Sequence, residues 1–297
     1  MNDRAKFDDS QLESLLPEIR FSRRGFLASA AATGFALSAG PSIAQTAIRT
    51  PADGLEVTDL KIPVSGGVMM PGYMAAPAKK AGKLATVMVI PEIFGMHEYQ
   101  KDICRRLANA GYLALTLDPF FRGGDLSKIS DIKEVIAKAN SLDDKQMLAD
   151  LDAVVAFIEQ QPRANAKKIG ITGMCRGGRT TWMFAAHSKK IKAGVSWYGG
   201  LTPMPPAMPL TPIDVADQLN APVLGLYGGA DAGIPLDHVE RMRASLLAFG
   251  KDKESMIHVY DGMPHAFHAD YRPSYRKEAG EDGWKRMLGW FKKHGVA

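Results

Sequence analysis

Apolar positions along the chain fall into three spacings, and each predicts a different kind of element. Residues 84–90 form an unbroken apolar run rich in β-branched side chains, which predicts a strand buried on both faces. Over residues 97–110, Tyr99, Ile103, Leu107 and Ala110 share one helical face, and Gly111 closes the helix. Residues 55–63 and 67–76 read as two antiparallel strands around a Ser65-Gly66-Gly67 turn. A strand is expected at 112–117, then a loop with a short amphipathic helix between 118 and 140. A longer helix is expected from 141 to about 161, capped by the Ser141 hydroxyl. Strands at 168–172, 192–198, 223–227 and 255–260 then alternate with helices at 176–188, 236–249 and 277–294. Between them lies a loop, 201–212, with five prolines in twelve residues. Strands alternating with helices at these intervals predict an α/β fold: a mostly parallel central sheet with helices on both faces and antiparallel strands at its N-terminal side. In such a sheet, chemistry gathers at the C-terminal ends of the strands.

The first residues do not follow this pattern. Residues 1–20 are polar; Ser22-Arg23-Arg24-Gly25-Phe26-Leu27 follows, then a modest apolar stretch to about Ala39, with Pro41 and Ser42-Ile43-Ala44 after it. Paired arginines ahead of a short Ala/Gly/Ser-rich segment are similar to a twin-arginine export signal, with small residues placed for a cut after Ala44. The expectation is a signal at 1–44 and one domain at 45–297, exported by the twin-arginine machinery to the periplasm or beyond. A retained anchor and a cytosolic protein are the alternatives, but the stretch is too short and too diluted for a stable span.

Composition adds exclusions. The chain has 297 residues, 46% hydrophobic and 23% charged, with a formal net charge of +5. Its basic residues form no run or stripe, which argues against nucleic acid as a partner. Two cysteines cannot support a disulfide scaffold.

The chemistry is concentrated in Gly173-Met174-Cys175-Arg176-Gly177-Gly178, which follows the 168–172 strand and opens a helix. This is a nucleophile elbow with Cys in place of Ser. The turn is too tight for side chains two residues either side of the nucleophile, so the backbone of Cys175 is expected to be strained. The helix N-terminus favours a thiolate and offers the Arg176 N–H to an oxyanion. Asp231 follows the 223–227 strand and His265 follows the 255–260 strand, so acid and base occur in the order such a sheet requires. The loop after 84–90, Pro91-Glu92-Ile93-Phe94-Gly95, offers the Ile93 N–H as a second oxyanion donor. Glu92 either influences the thiol's proton or pairs with an arginine. Three bland readings compete: a buried structural Cys175, a zinc site built from His265 and His268, and a Cys104–Cys175 disulfide. No third zinc ligand stands out at suitable spacing, so no metal is expected.

These pieces, with Trp197-Tyr198-Gly199, Gly228-Gly229-Ala230-Asp231 and His265-Ala266-Phe267, resemble the dienelactone hydrolase family of α/β-hydrolases over about residues 57–293. The resemblance implies a Cys175/His265/Asp231 triad, Glu92 as controller of thiol protonation, and hydrolysis of a small lactone or ester through an acyl-cysteine. It implies no metal and no organic cofactor. Family members that act on chlorocatechol-derived lactones hold the substrate carboxylate with arginines, one of them four residues after the triad His. Here that position is Ala269, and the nearest arginine is Arg272. Arg122, Arg176 and Arg272 are candidate anion contacts, and Phe94, Phe120, Trp197 and Tyr198 candidate pocket walls. A broad ester or thioester hydrolase and a non-catalytic binding protein on the same fold remain as alternatives.

Overall fold

The computed structural model describes residues 47–203 and 208–297. The expected export signal at 1–44 lies outside these residues, as do four residues of the proline-rich loop. Among the described residues eight strands form one sheet in the order β1-β2-β4-β3-β5-β6-β7-β8. β1 (Leu55–Val64) and β2 (Val68–Pro77) pair antiparallel, and β2 joins β4 (Leu113–Leu117) in the same sense. From β4 onward every pairing is parallel, through β3 (Leu84–Ile90), β5 (Ala164–Met174), β6 (Ile191–Trp197), β7 (Val223–Gly228) and β8 (Met256–Tyr260). Every residue of β3 and of β7 is buried, the signature of strands covered on both faces. No helix among the described residues is long and apolar enough to cross a membrane.

Among the described residues six helices surround the sheet: α1 (Glu98–Asn109), α2 (Ile132–Ser141), α3 (Asp144–Gln160), α4 (Arg176–His187), α5 (Leu236–Ala248) and α6 (Lys277–Lys293). Their apolar positions explain their seating. In α6, Ala279, Gly280, Gly283, Met287, Trp290 and Phe291 recur every three or four residues and are buried.

The structure corrects one boundary. Ser141 is the last residue of α2, and its hydroxyl donates to the Lys138 carbonyl at 2.7 Å. The cap of α3 is Asp143, whose Oδ1 accepts from the Gln146 N–H at 2.7 Å. Two cap-forming residues stand two apart here, and the carboxylate is the one that reaches the third residue of the helix while also favouring the positive helix end.

The strand order turns around between β3 and its neighbours, β4 on one side and β5 on the other. The loops after β3, β5, β7 and β8 therefore converge at one edge of the sheet.

Candidate active site

Cys175 stands between β5 and α4 with φ 54° and ψ −117°, a conformation that L side chains rarely adopt. Its N–H donates to the Trp197 carbonyl at 3.0 Å, and its carbonyl accepts from Arg179 N–H at 3.1 Å. The flanking glycines are required by contact. A Cβ on Gly173 would lie 2.1 Å from the Gly177 carbonyl oxygen, and a Cβ on Gly177 would lie 2.2 Å from that of Ile90. The second contact presses the elbow against the end of β3 and the loop that carries Glu92 and Ile93. Arg176 opens α4, so the two expected oxyanion donors belong to backbone segments that touch at Gly177.

The loops after β7 and β8 lie back to back. A Cβ on Gly228 would lie 2.3 Å from the Met263 carbonyl oxygen, and Ala230 N–H donates to that carbonyl at 3.0 Å. This contact sets Asp231 beside His265. Asp231 Oδ1 accepts from Gly233 N–H at 2.9 Å, leaving Oδ2 for His265 Nδ1 at 2.7 Å. An ionised Asp231 requires the proton on Nδ1, which leaves Nε2 free to exchange a proton. Nε2 is buried, and Cys175 is close enough to act on the ring as both charge and hydrogen-bonding group. Burial alone would lower the pKa of this ring. The Asp231 carboxylate and then the Cys175 sulfur outweigh it and raise the value to about 10. Elbow, imidazole and carboxylate thus act electrostatically on one another.

Around them is a buried polar cluster that joins Glu92, Tyr198 and His268 to Tyr99 and Tyr271, two tyrosines given no site role by the sequence. Glu92 is 1% exposed, and its Oε2 accepts from the Tyr271 hydroxyl, while Oε1 has no partner among the described residues. Tyr99 Oη and His268 Nδ1 are 2.6 Å apart. Burial, then Arg272, lowers the His97 pKa to about 3; burial, then Arg106, does the same to His268. Both rings are neutral at physiological pH. Tyr99, Tyr198 and Tyr271 all have pKa values raised by burial first, with Glu92 also raising each, so all three stay protonated donors. Tyr99 and His268 lie 169 residues apart in the chain and Glu92 and Tyr271 179, which is why no local motif announced these pairings.

The remaining expected contacts divide. Tyr198 is fully buried at φ 38°, with its ring edge-on to His265 at 5.0 Å between centroids. Burial first, then Tyr99, Glu92, Tyr271 and Cys175, raises its pKa, so its hydroxyl stays protonated among these groups. Phe94 and Phe120 are buried, at 1% and 4% exposure, and Arg272 at 2%.

Trp197 is placed elsewhere. Its indole N–H donates to Thr172 Oγ1 at 3.1 Å, and its ring packs beneath Gly283 of α6, so it fills core space. Arg122 is turned away onto α3, with Nη1 2.5 Å and Nη2 3.0 Å from the Asp150 carboxylate. The Arg176 guanidinium is buried toward Leu142 and Asp144, at 3.3 Å and 3.9 Å, and Arg179 forms the closer pair with Asp144 at 2.6 Å. His265 and His268 are each engaged through Nδ1, and no group of three or more metal-ligating side chains occurs among the described residues. Cys104 and Cys175 are both free thiols.

The profile of the Dienelactone hydrolase family matches residues 70–295. The chain belongs to the dienelactone hydrolase family. It is 49% identical over 291 residues to a Methylorubrum extorquens protein named "Putative carboxymethylenebutenolidase", covering 97% of this chain and 99% of that one. A Klebsiella pneumoniae crystal structure described as "Putative Dienelactone Hydrolase" superposes with a TM-score of 0.77 at 45% identity, covering 80% of this chain and 98% of that one. A more distant Bradyrhizobium protein, named "Probable 2-oxo-3-(5-oxofuran-2-ylidene)propanoate lactonase", is 32% identical over 224 residues, 75% of this chain and 88% of that one. As a dienelactone hydrolase family member, the chain is hydrolase-like.

Proposed function

We propose that this dienelactone hydrolase family member cleaves a small lactone or carboxylic ester through an acyl-cysteine. The observation that carries the reading is the buried Asp231–His265 pair held beside the strained Cys175. In the first step the Cys175 thiolate attacks the acyl carbon, and the carbonyl oxygen becomes an oxyanion held by the Arg176 and Ile93 N–H groups. The acyl carbon–oxygen bond then breaks, and the alkoxide or enolate oxygen leaves with the proton from His265 Nε2. Water attacks the thioester, gives its proton back to Nε2, and releases the acid and the thiolate. Asp231 keeps the ring oriented throughout. The same reading takes residues 1–44 as a cleaved twin-arginine signal and places the mature chain in the periplasm.

A linear-ester preference is the second reading, favoured by the absence of an arginine at Ala269 and by the commitment of Arg122 to Asp150. One experiment tests both. The purified chain is screened against lactones and activated linear esters, with Cys175→Ala as control and intact-mass measurement after mixing with a slow ester. Turnover that requires Cys175, with an acyl adduct on that residue, supports the reading. Turnover surviving in Cys175→Ala overturns the nucleophile assignment.

A further inference from the structure

Residues 261–276, between β8 and α6, carry His265 and Tyr271, and their path contains no helix or strand. Within them residues 265–272 are all buried. Turns such as Ala269 N–H to the Ala266 carbonyl at 3.0 Å and Arg272 N–H to that of Ala269 at 2.9 Å fold the segment on itself. A buried path without a ladder is located by its side-chain ties. These ties run to α1, which presents Tyr99, Asp102 and Arg106 at helical spacing. Tyr99 meets His268 at 2.6 Å, and Arg106 Nη2 donates to Asp270 Oδ2.

The other oxygen of Asp270 belongs to a different part of the chain. Oδ1 accepts from the Ile48 N–H at 3.3 Å, in the arm that precedes β1. Two residues on, Thr50 N–H donates to Asp102 Oδ1 at 2.5 Å, and the Thr50 carbonyl accepts from Arg105 Nε at 2.7 Å. Asp102 also binds Arg106 Nε at 2.5 Å, so arm, helix and segment share one ionic network. Asp102 and Asp270 are each 1% exposed.

We propose that the arm at Ala47–Thr50 is part of the catalytic apparatus, and that Asp270 is the positioning residue through which arm and α1 hold His265 and Tyr271 in register with Cys175 and Glu92. The inference rests on the acyl-cysteine reading for its catalytic consequence. Asp270 touches none of the reacting groups; it acts through the segment that begins five residues earlier at His265. A cut after Ala44 leaves the whole arm on the mature chain, whereas a cut beyond Thr50 would remove it.

The test uses three full-length variants. Asp270→Asn keeps the shape and an acceptor for Ile48 but removes the charge facing Arg106. Ile48→Pro removes the arm's N–H at a position that is 44% exposed. Lys101→Met removes the outer pair with Asp59 and the ammonium above the Tyr73 ring from the same helix while leaving Asp102, Arg106 and Asp270 untouched, as a control. Each is assayed for kcat and KM on p-nitrophenyl acetate, for melting temperature, and for the rate at which iodoacetamide alkylates Cys175. Asp270→Asn and Ile48→Pro are expected to lower kcat about tenfold or more with KM within about twofold, and to slow alkylation, because a small displacement of reacting groups has an effect of that size. Lys101→Met is expected to match the wild type. Folded Asp270→Asn and Ile48→Pro proteins with unchanged kcat and alkylation rate overturn the proposal; if Asp270→Asn fails to fold, Ile48→Pro decides alone. If the wild type turns over no ester, the functional reading fails, and the alkylation rates still decide whether the arm positions the site.

Discussion

His265 Nδ1 and Asp231 Oδ2 are 2.7 Å apart, in a shell where the two residues are 6% and 3% exposed. A cation paired with an anion in such a place is stable only because each charge answers the other. Burial favours a neutral ring, Asp231 and then Cys175 favour a charged one, and the charged one prevails up to about pH 10.

That balance sets a pH dependence of stability. The folded-state pKa of His265 is raised from 6.5 to about 10, so the stabilisation is complete below about pH 6.5 and is lost as pH rises through about 10. The difference in melting temperature between the wild type and His265→Gln is therefore expected to be level in mild acid and to narrow steadily toward about pH 10. Melts across that range measure it, and a difference that widens with pH contradicts the assigned charge state.

At Cys175 the backbone angles, φ 54° and ψ −117°, carry a strain that the side chain's chemistry must justify. Glycine adopts this region without the Cβ penalty, whereas alanine keeps the penalty and loses only the sulfur. Cys175→Gly is expected to be more stable than Cys175→Ala by about 1 kcal/mol, against the usual order for these residues, with both variants devoid of activity. Paired urea titrations measure the difference, and an alanine variant that equals or exceeds the glycine variant would show the elbow to be unstrained.

The elbow was legible in the sequence because every constraint on it is local. Gly173 and Gly177 are small since each faces a backbone oxygen near 2 Å from where a Cβ would stand. Asp231 and His265 were legible for a related reason: each follows a parallel strand, and parallel strands deliver their loops to one edge. What could not be read was the direction in which a long side chain turns. Arg122 follows β4 and could have entered the pocket, but Asp150 on α3 supplies a bidentate partner. Trp197 borders the elbow through its carbonyl while its ring points down to Gly283. The site roles of Tyr99 and Tyr271 were missed because their contacts, to His268 and to Glu92, cross most of the chain. The run His268-Ala269-Asp270-Tyr271-Arg272 was nonetheless a signal, since a stretch so polar between a strand and a helix has no reason to be buried without partners.

Tyr271 and Glu92 provide a third prediction. The hydroxyl is a donor to a carboxylate that is almost wholly removed from water and has one further oxygen without a partner among the described residues. Tyr271→Phe is expected to destabilise the fold by about 1–3 kcal/mol, the typical effect of leaving a buried acceptor unmade. Glu92→Gln in the same chain is expected to recover part of that loss, because a neutral amide is less costly to bury than a carboxylate. A double-mutant cycle by denaturant titration measures the coupling, and a coupling near zero would mean that the two groups do not share a hydrogen bond in solution.

Two glycines of α6 separate packing from propensity. Gly289 lies in the interior of the helix on its exposed side, with open space where a Cβ would point. Alanine there adds helix propensity and meets nothing, so Gly289→Ala is expected to raise stability by about 0.5–1 kcal/mol. Gly283 lies fewer than two turns earlier in the same helix and faces inward, where a Cβ would stand 2.5 Å from Trp197 Cζ3. The same gain in propensity is available, but the indole cannot withdraw, because its N–H is held by Thr172 and its ring is wedged against Phe267 and His268. Gly283→Ala is therefore expected to lower stability by about 1–3 kcal/mol, the range for overfilling a packed core. Shifts of melting temperature in opposite directions would establish that Trp197 is a fixed floor under α6. A neutral or favourable Gly283→Ala would instead show the indole free to move, and with it the Trp197 carbonyl that holds Cys175.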